Sequence, residues 1–218
     1  MTNRKEEHAY WGHAAGTYDA ATAYVVGANT QKETQRWVCK QIIDTDHVLE
    51  LGCGTGMYSM VIAEKAKHLT ATDGSFEMLE RVKERLSPFE NVTIQREDCY
   101  YTSFPDGLFD VVFLGNVIHI LGRPLEVLSE SRRVLKPEGR ILLVDFTSYK
   151  MPFWPKLAMH IRYLKKFGMP PKENRIMSPD DMAQLVEKTG FLVEAAELIE
   201  KETHVVCVRG KSGSPNGS

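Results

Sequence analysis

Three glycines, Gly52, Gly54 and Gly56, stand in the run VLELGCGTG, directly after an apolar segment. Glycine tolerates positive φ and lets a backbone approach a ligand without a Cβ clash. A loop of this kind between a strand and a helix is a cradle for a nucleotide-like molecule. The dinucleotide spacing G-x-G-x-x-G would require glycine at position 57, where this chain has Met57. No Lys-Ser/Thr pair follows, which removes a phosphate-gripping P-loop as well. Asp73 lies 21 residues after Gly52. A carboxylate at that distance can accept from both hydroxyls of a ribose, a charge-assisted bidentate contact. Asp73-Gly74 is also an ordinary turn pair, but its spacing from the glycine loop favours the ribose reading.

The elements that must hold these residues alternate between strand and helix patterns, which predicts an α/β fold. Strands are expected from His47, from His68, over 91–96, 109–114 and 140–146, and as a closing pair over 191–199 and 203–208. Helices are expected over 57–67, 75–86, 124–135 and from the Ser178 cap to Gly190. The 109–114 run is strongly apolar, with Asp110 its one charged residue, as in a strand covered on both faces. Residues 1–40, also helical in pattern, and 150–177 fall outside the alternation and are expected to cover the carboxyl edge of the sheet, where open α/β folds bind ligands. Residues 1–210 are thus read as one domain, with 211–218 a flexible tail.

Composition excludes several classes. The 218 residues carry 27 Lys and Arg against 29 Asp and Glu, a formal net charge of −2, so no broad nucleic-acid surface is expected. Hydrophobic residues at 43% fit a globular core rather than a disordered chain. Cys39, Cys53, Cys99 and Cys207 are far apart without a C-x-x-C pair, so neither zinc nor a disulfide framework is expected. With a charged N-terminus lacking an apolar core, this predicts a cytoplasmic protein.

The motif set resembles that of the class I S-adenosylmethionine-dependent methyltransferases over most of the chain, roughly residues 10–208. VLELGCGTG is similar to the first family motif, ATDGSFEML to the acidic ribose motif, and REDCYYTSFPDGLFDVVF to the next. LGNVIHIL and LKPEGRILLVDF are similar to the motifs of the fourth and fifth strands, and YWGHAAGTYDA to the N-terminal lid. The organisation is most similar to methyltransferases of small molecules and quinone biosynthesis. The resemblance implies a Rossmann-like, seven-stranded, mostly parallel sheet with an antiparallel last strand and helices on both faces. It also implies S-adenosyl-L-methionine as cofactor and S-adenosyl-L-homocysteine as product. Carried over by position, it assigns the cofactor site to Tyr18, Glu50, Gly52, Cys53, Gly54, Thr55, Gly56, Asp73, Gly74, Met78, Asp98, Cys99 and Asn116. Asp98 would accept from the adenine amine, the Cys99 backbone would contact the ring and Met78 would pack on it. Asn116 would serve the methionine end through its backbone carbonyl. Gly74 departs from the pattern, which commonly has a larger residue there.

Methyl transfer from a sulfonium is an in-line displacement driven mainly by placement of the reactants. A base matters only for an acceptor protonated at neutral pH. His119 is the first candidate and His13, in the lid, the second. The run GNVI at Asn116 lacks the Pro-Pro-aromatic loop of amine and amide methyltransferases, which disfavours a nucleic-acid substrate. From Phe153 to Phe167, Trp154, Leu157, Ala158, Ile161 and Leu164 recur at helical spacing. That face is expected to pack over the acceptor pocket, with the cations outside. Residues 150–172 carry six Lys or Arg and no acid, a composition that can also rest on an anionic membrane. The expected acceptor is a small or lipid-like molecule, apolar or aromatic. A cofactor-binding regulator without turnover, an RNA or protein methyltransferase, and a nicotinamide oxidoreductase are the competing readings. The oligomeric state is not legible.

Overall fold

The computed structural model describes residues 18–170 and 174–213. A seven-stranded sheet runs through it in the order β3-β2-β1-β4-β5-β7-β6. The strands are β1 (His47–Leu51), β2 (His68–Asp73), β3 (Val92–Arg96), β4 (Phe109–Gly115), β5 (Leu135–Thr147), β6 (Phe191–Glu200) and β7 (His204–Ser212). Strands β1 to β5 are parallel, and β7 runs antiparallel to both β5 and β6. The expected sheet, antiparallel last strand included, is therefore present.

Helices α1 (Tyr18–Val26) and α2 (Ala28–Gln41) precede the sheet, and α3 (Ser59–Ala63) and α4 (Phe76–Leu86) follow β1 and β2. Helix α5 (Pro124–Val134) lies between β4 and β5; α6 (Phe153–Phe167) and α7 (Pro179–Glu187) lie between β5 and β6. A core on one sheet face joins Trp37, Val38, Ile62, Leu79 and Phe113; on the other, Leu49, Val112, Leu128, Met182 and Val206. Burial on both faces is why β1, β4 and the second half of β5 read as largely apolar runs, each interrupted by one acid (Glu50, Asp110 and Asp145), rather than as alternations.

Some local expectations are corrected. The helix expected over 57–67 is only Ser59–Ala63, because the loop continues turning through residue 58. The Asn91 amide then donates to the carbonyls of Ala63 and Ala66, both at 2.9 Å, and closes the helix early. Strand β7 extends to Ser212, with Lys211 paired to Arg140 and Leu192, so the segment read as a tail from 211 gives its first two residues to the sheet. The Ser178 cap is present as a reciprocal capping box with Asp181.

The carboxyl ends of β1, β2, β4 and β5 meet at one edge. Leu51 pairs with Thr72, which sets the glycine loop beside Asp73, and Gly115 pairs with Val144, which sets Asn116 beside the end of β5. Between β1 and β4 the strand order reverses, the position at which such sheets open a ligand crevice.

Candidate active site

The glycine loop leaves β1 with Gly52, Gly54 and Gly56 all at positive φ (74°, 54° and 87°). A Cβ on Gly52 would stand 2.7 Å from Val117 Cγ2, and so the loop packs against the chain after β4. A Cβ on Gly54 would meet nothing within 4 Å, which leaves open space in front of the loop. Asp73, at the end of β2, ties the two edges together: Oδ2 accepts from Gly54 N (2.9 Å) and Oδ1 from Ser75 N (2.8 Å). A carboxylate oxygen can accept more than one hydrogen bond. The Cys53 amide donates to the Thr72 carbonyl at 2.8 Å, and burial pushes its thiol well above the usual range. The Gly74 carbonyl is taken by Arg96 Nε at 2.9 Å, and the Arg96 guanidinium lies over the Phe76 ring.

Glu50 lies beneath the loop, 1% exposed, and accepts from Ser59 Oγ at 2.5 Å. Burial, with Asp73 nearby, pushes its carboxyl up to about 8, so the side chain is held protonated at neutral pH. Thr55 Oγ1 and Arg85 both grip Asp19, which latches α1 onto the glycine loop. The Arg85 guanidinium also donates to the Thr55 carbonyl at 2.8 Å. Met78 is buried in the first turn of α4, where its amide donates to the Ser75 side chain. Asp98 follows β3 in a tight turn, with Oδ1 accepting from Tyr100 N, and Cys99 packs beside it at half burial.

Asn116 adopts φ 60°, and its side chain is used internally. Its amide donates to Tyr58 Oη (3.4 Å) and its Oδ1 accepts from Phe146 N (3.2 Å), locking β4 to β5. Tyr58 in turn stacks edge-on with Phe113. His119 lies on a 3-10 turn (Ile118–Ile120), and Nδ1 is 2.6 Å from Asp145 Oδ1. His13 lies outside the described residues. No group of three or more potential metal ligands occurs among the described residues.

A cavity of about 660 Å³ opens between α1, α6 and the ends of β4 and β5. Tyr18, Asn116, His119, Phe146, Tyr163 and Phe167 are among its walls. Burial pushes the Tyr18 phenol up to about 12, so it stays neutral. Tyr18 packs against Phe167, and Arg162 Nη1 donates to the Tyr24 carbonyl, which joins α1 to α6. The face expected to cover the pocket is not the one that does. Lys156, Met159, His160, Tyr163 and Phe167 line the cavity, whereas Trp154 (74% exposed), Ile161 and Leu164 point to solvent. Leu157 lies on the border between the two faces, both cavity-lining and partly exposed. Asp145, Asp19 and Ser59 were missed in the sequence; only Asp145, a lone acid within the apolar run RILLVDF, carried a signal there.

Residues 49–143 match the model of a methyltransferase domain. The demethylmenaquinone methyltransferase of Listeria welshimeri is 30% identical over 177 residues, covering 75% of this chain and 73% of that one. Among solved structures, a SAM-dependent methyltransferase from Aquifex aeolicus superposes with a TM-score of 0.68 at 20% identity, covering 93% of this chain and 98% of its own. SpnF, described as a 4+2 cyclase, superposes with a TM-score of 0.67 at 14% identity over 83% of this chain and 80% of its own. Likeness at that identity speaks for the fold and not for the reaction. The sequence match to the Listeria enzyme, the methyltransferase-domain match and the glycine-loop edge agree, and the chain belongs to the S-adenosylmethionine-dependent methyltransferases.

Proposed function

We propose that this methyltransferase acts on a small apolar or aromatic acceptor held beneath α6, with S-adenosylhomocysteine as the second product. The observation that carries this is the 660 Å³ cavity walled by Phe146, Tyr163 and Phe167, beside the glycine-loop edge. The name of the Listeria relative supports a quinone-type ring as acceptor. The open space before Gly54 and the Asp73 carboxylate at its edge suit the cofactor's ribose. In this reading the Gly52–Gly56 loop, with Cys53 and Thr55, cradles the cofactor, and Asp73 with Gly74 takes the ribose. Met78, Asp98 and Cys99 hold the adenine; Tyr18, Glu50 and Asn116 border the methionine end. When bound, the cofactor supplies an electrophilic sulfonium methyl. The protein contributes placement, which in well-oriented pairs is worth about 7–11 kcal/mol.

Narrowing the cavity tests the acceptor site. Met159→Trp is expected to raise the acceptor KM on the order of tenfold or more, with the cofactor Kd from calorimetry unchanged. Equal KM in both proteins would place the acceptor elsewhere.

The outward face of α6 adds a route for a lipid-like acceptor. Trp154, Leu157, Ile161 and Leu164 are exposed beside Lys165 and Lys166 on a segment with no acid between residues 150 and 172. This combination complements an anionic bilayer, where each nearby cation contributes about 1 kcal/mol. Co-sedimentation with phosphatidylglycerol vesicles, lost in Trp154→Ser/Ile161→Ser and absent with phosphatidylcholine, is expected. Equal partitioning of the parent and the variant would remove the membrane role. Among the described residues no helix is long and apolar enough to cross a membrane.

A further inference from the structure

His119 and Asp145 come from elements separated by α5 and meet only because β4 and β5 pair in parallel. Asp145 lies on β5, opposite Val206 of β7, with its side chain 3% exposed. Both carboxylate oxygens accept from His119: Oδ1 faces the ring Nδ1 at 2.6 Å, and Oδ2 takes the backbone amide at 3.2 Å. One carboxylate therefore holds the orientation of the ring and of the turn that carries it. The turn is held from its other side as well. Arg175 N donates to the His119 carbonyl at 3.0 Å, and its guanidinium to the Leu121 carbonyl at 2.8 Å. The imidazole lines the acceptor cavity and is 18% exposed.

A buried carboxylate is costly unless it is hydrogen-bonded. Its acceptance from Nδ1 selects the tautomer with the proton on Nδ1 and leaves the lone pair on Nε2 of a ring that lines the cavity. A histidine serving only to cap a turn would not need its ring nitrogen fixed by a buried acid.

We propose that His119, oriented by Asp145, is the base of this methyltransferase, and that the acceptor presents an aromatic or enolic hydroxyl to it. The inference rests on the reading of the cavity as the acceptor site. His119 Nε2 takes the hydroxyl proton. The acceptor's electron pair, on oxygen or on the ring carbon conjugated with it, forms the bond to the methyl carbon as the methyl–sulfur bond breaks. The sulfur departs as a neutral thioether. On the carbon route the ring proton is lost and the oxygen takes back the proton held on His119 as aromaticity is restored, so either route releases one proton in all. A thiol is already partly thiolate and an aromatic amine attacks through a free lone pair, so neither needs this base at the outset. A weakly acidic hydroxyl among Phe146, Tyr163 and Phe167 does, because those walls disfavour a free anion. Tyr18, Lys156, His160, Tyr163 and Arg175 are the other titratable or charged groups of the cavity wall. Asp145 is the positioning residue.

The test compares the parent protein with His119→Gln and Asp145→Asn on phenols of graded acidity, from alkylphenols (about 10, as for tyrosine) to nitrophenols already ionised at the assay pH. Each variant is expected to lose about 10²–10⁴ in kcat/KM on the weakest acids, the usual worth of a base. On the ionised phenols the loss should shrink to a few-fold. Nitrogen NMR of the labelled histidines should find Nδ1 protonated in the parent and the other tautomer in Asp145→Asn. Cofactor binding by calorimetry should be unchanged in both variants, which also verifies folding. An equal loss along the series, no loss, or a parent His119 protonated on Nε2 overturns the proposal. Cofactor binding with no transfer to any phenol by the parent overturns the hydroxyl class; transfer to other small apolar acceptors would then leave the broader reading standing.

Discussion

Asp73→Ala is expected to weaken S-adenosylmethionine binding by about 3 kcal/mol, on the order of a hundredfold in Kd. Hydrogen bonds to a charged acceptor are worth about 1.5–3 kcal/mol each, and a ribose offers two hydroxyls. The same carboxylate also accepts from Gly54 N and Ser75 N, so its removal releases the glycine loop as well as the ribose contacts. Asp73→Asn retains one acceptor oxygen and replaces the other with a donor facing a backbone N–H, so it should be weakened to an intermediate degree. Isothermal calorimetry reads both. A Kd unchanged in the alanine variant would remove Asp73 from the cofactor site.

The second large effect concerns Glu50 and pH. Burial raises its carboxyl from 4.5 to about 8, so the folded protein keeps a proton that the unfolded chain has released. Raising the pH through that window favours the unfolded chain, by about 1.4 kcal/mol per unit for one proton. This contribution to stability is intact below about 4.5 and declines towards pH 8, a total on the order of several kcal/mol. Glu50→Gln has no proton to lose and can still accept from Ser59. Urea unfolding at pH 5, 6.5 and 8 should show the parent falling relative to Glu50→Gln, with the gap widening toward pH 8. Parallel stability curves would contradict a protonated Glu50.

The sheet and its ligand edge were legible because they depend on local patterns. Apolar runs bounded by turn residues mark β1, β2 and β4, and the three-glycine loop with Asp73 follows from spacing alone. What the chain hid depends on pairing across the fold. Asp145 and His119 are 26 residues apart, and their contact exists only through the parallel register of β4 and β5. Helical periodicity found the apolar stripe of α6 but not its direction. That helix leans on α1 across an open cavity, so Tyr163 and Phe167 turn inward and Trp154 does not. Asn116 was expected to offer its backbone carbonyl to the cofactor; that its side chain locks β4 to β5 was hidden, because this depends on Phe146 lying next to it. The α3 boundary failed for a similar reason, since Asn91 caps it from beyond β2.

The proposed function requires that the glycine-loop edge and the cavity under α6 form one methyl-transfer site. Incubation with S-adenosylmethionine labelled in its methyl group, against phenols, quinone precursors, thiols, amines and lipids, tests it most directly. Label is expected in an extractable small aromatic product, formed in step with S-adenosylhomocysteine and lost in Asp73→Ala. Tight cofactor binding with no label leaving the cofactor for any acceptor would contradict it, and would mark a protein that binds S-adenosylmethionine without turning it over.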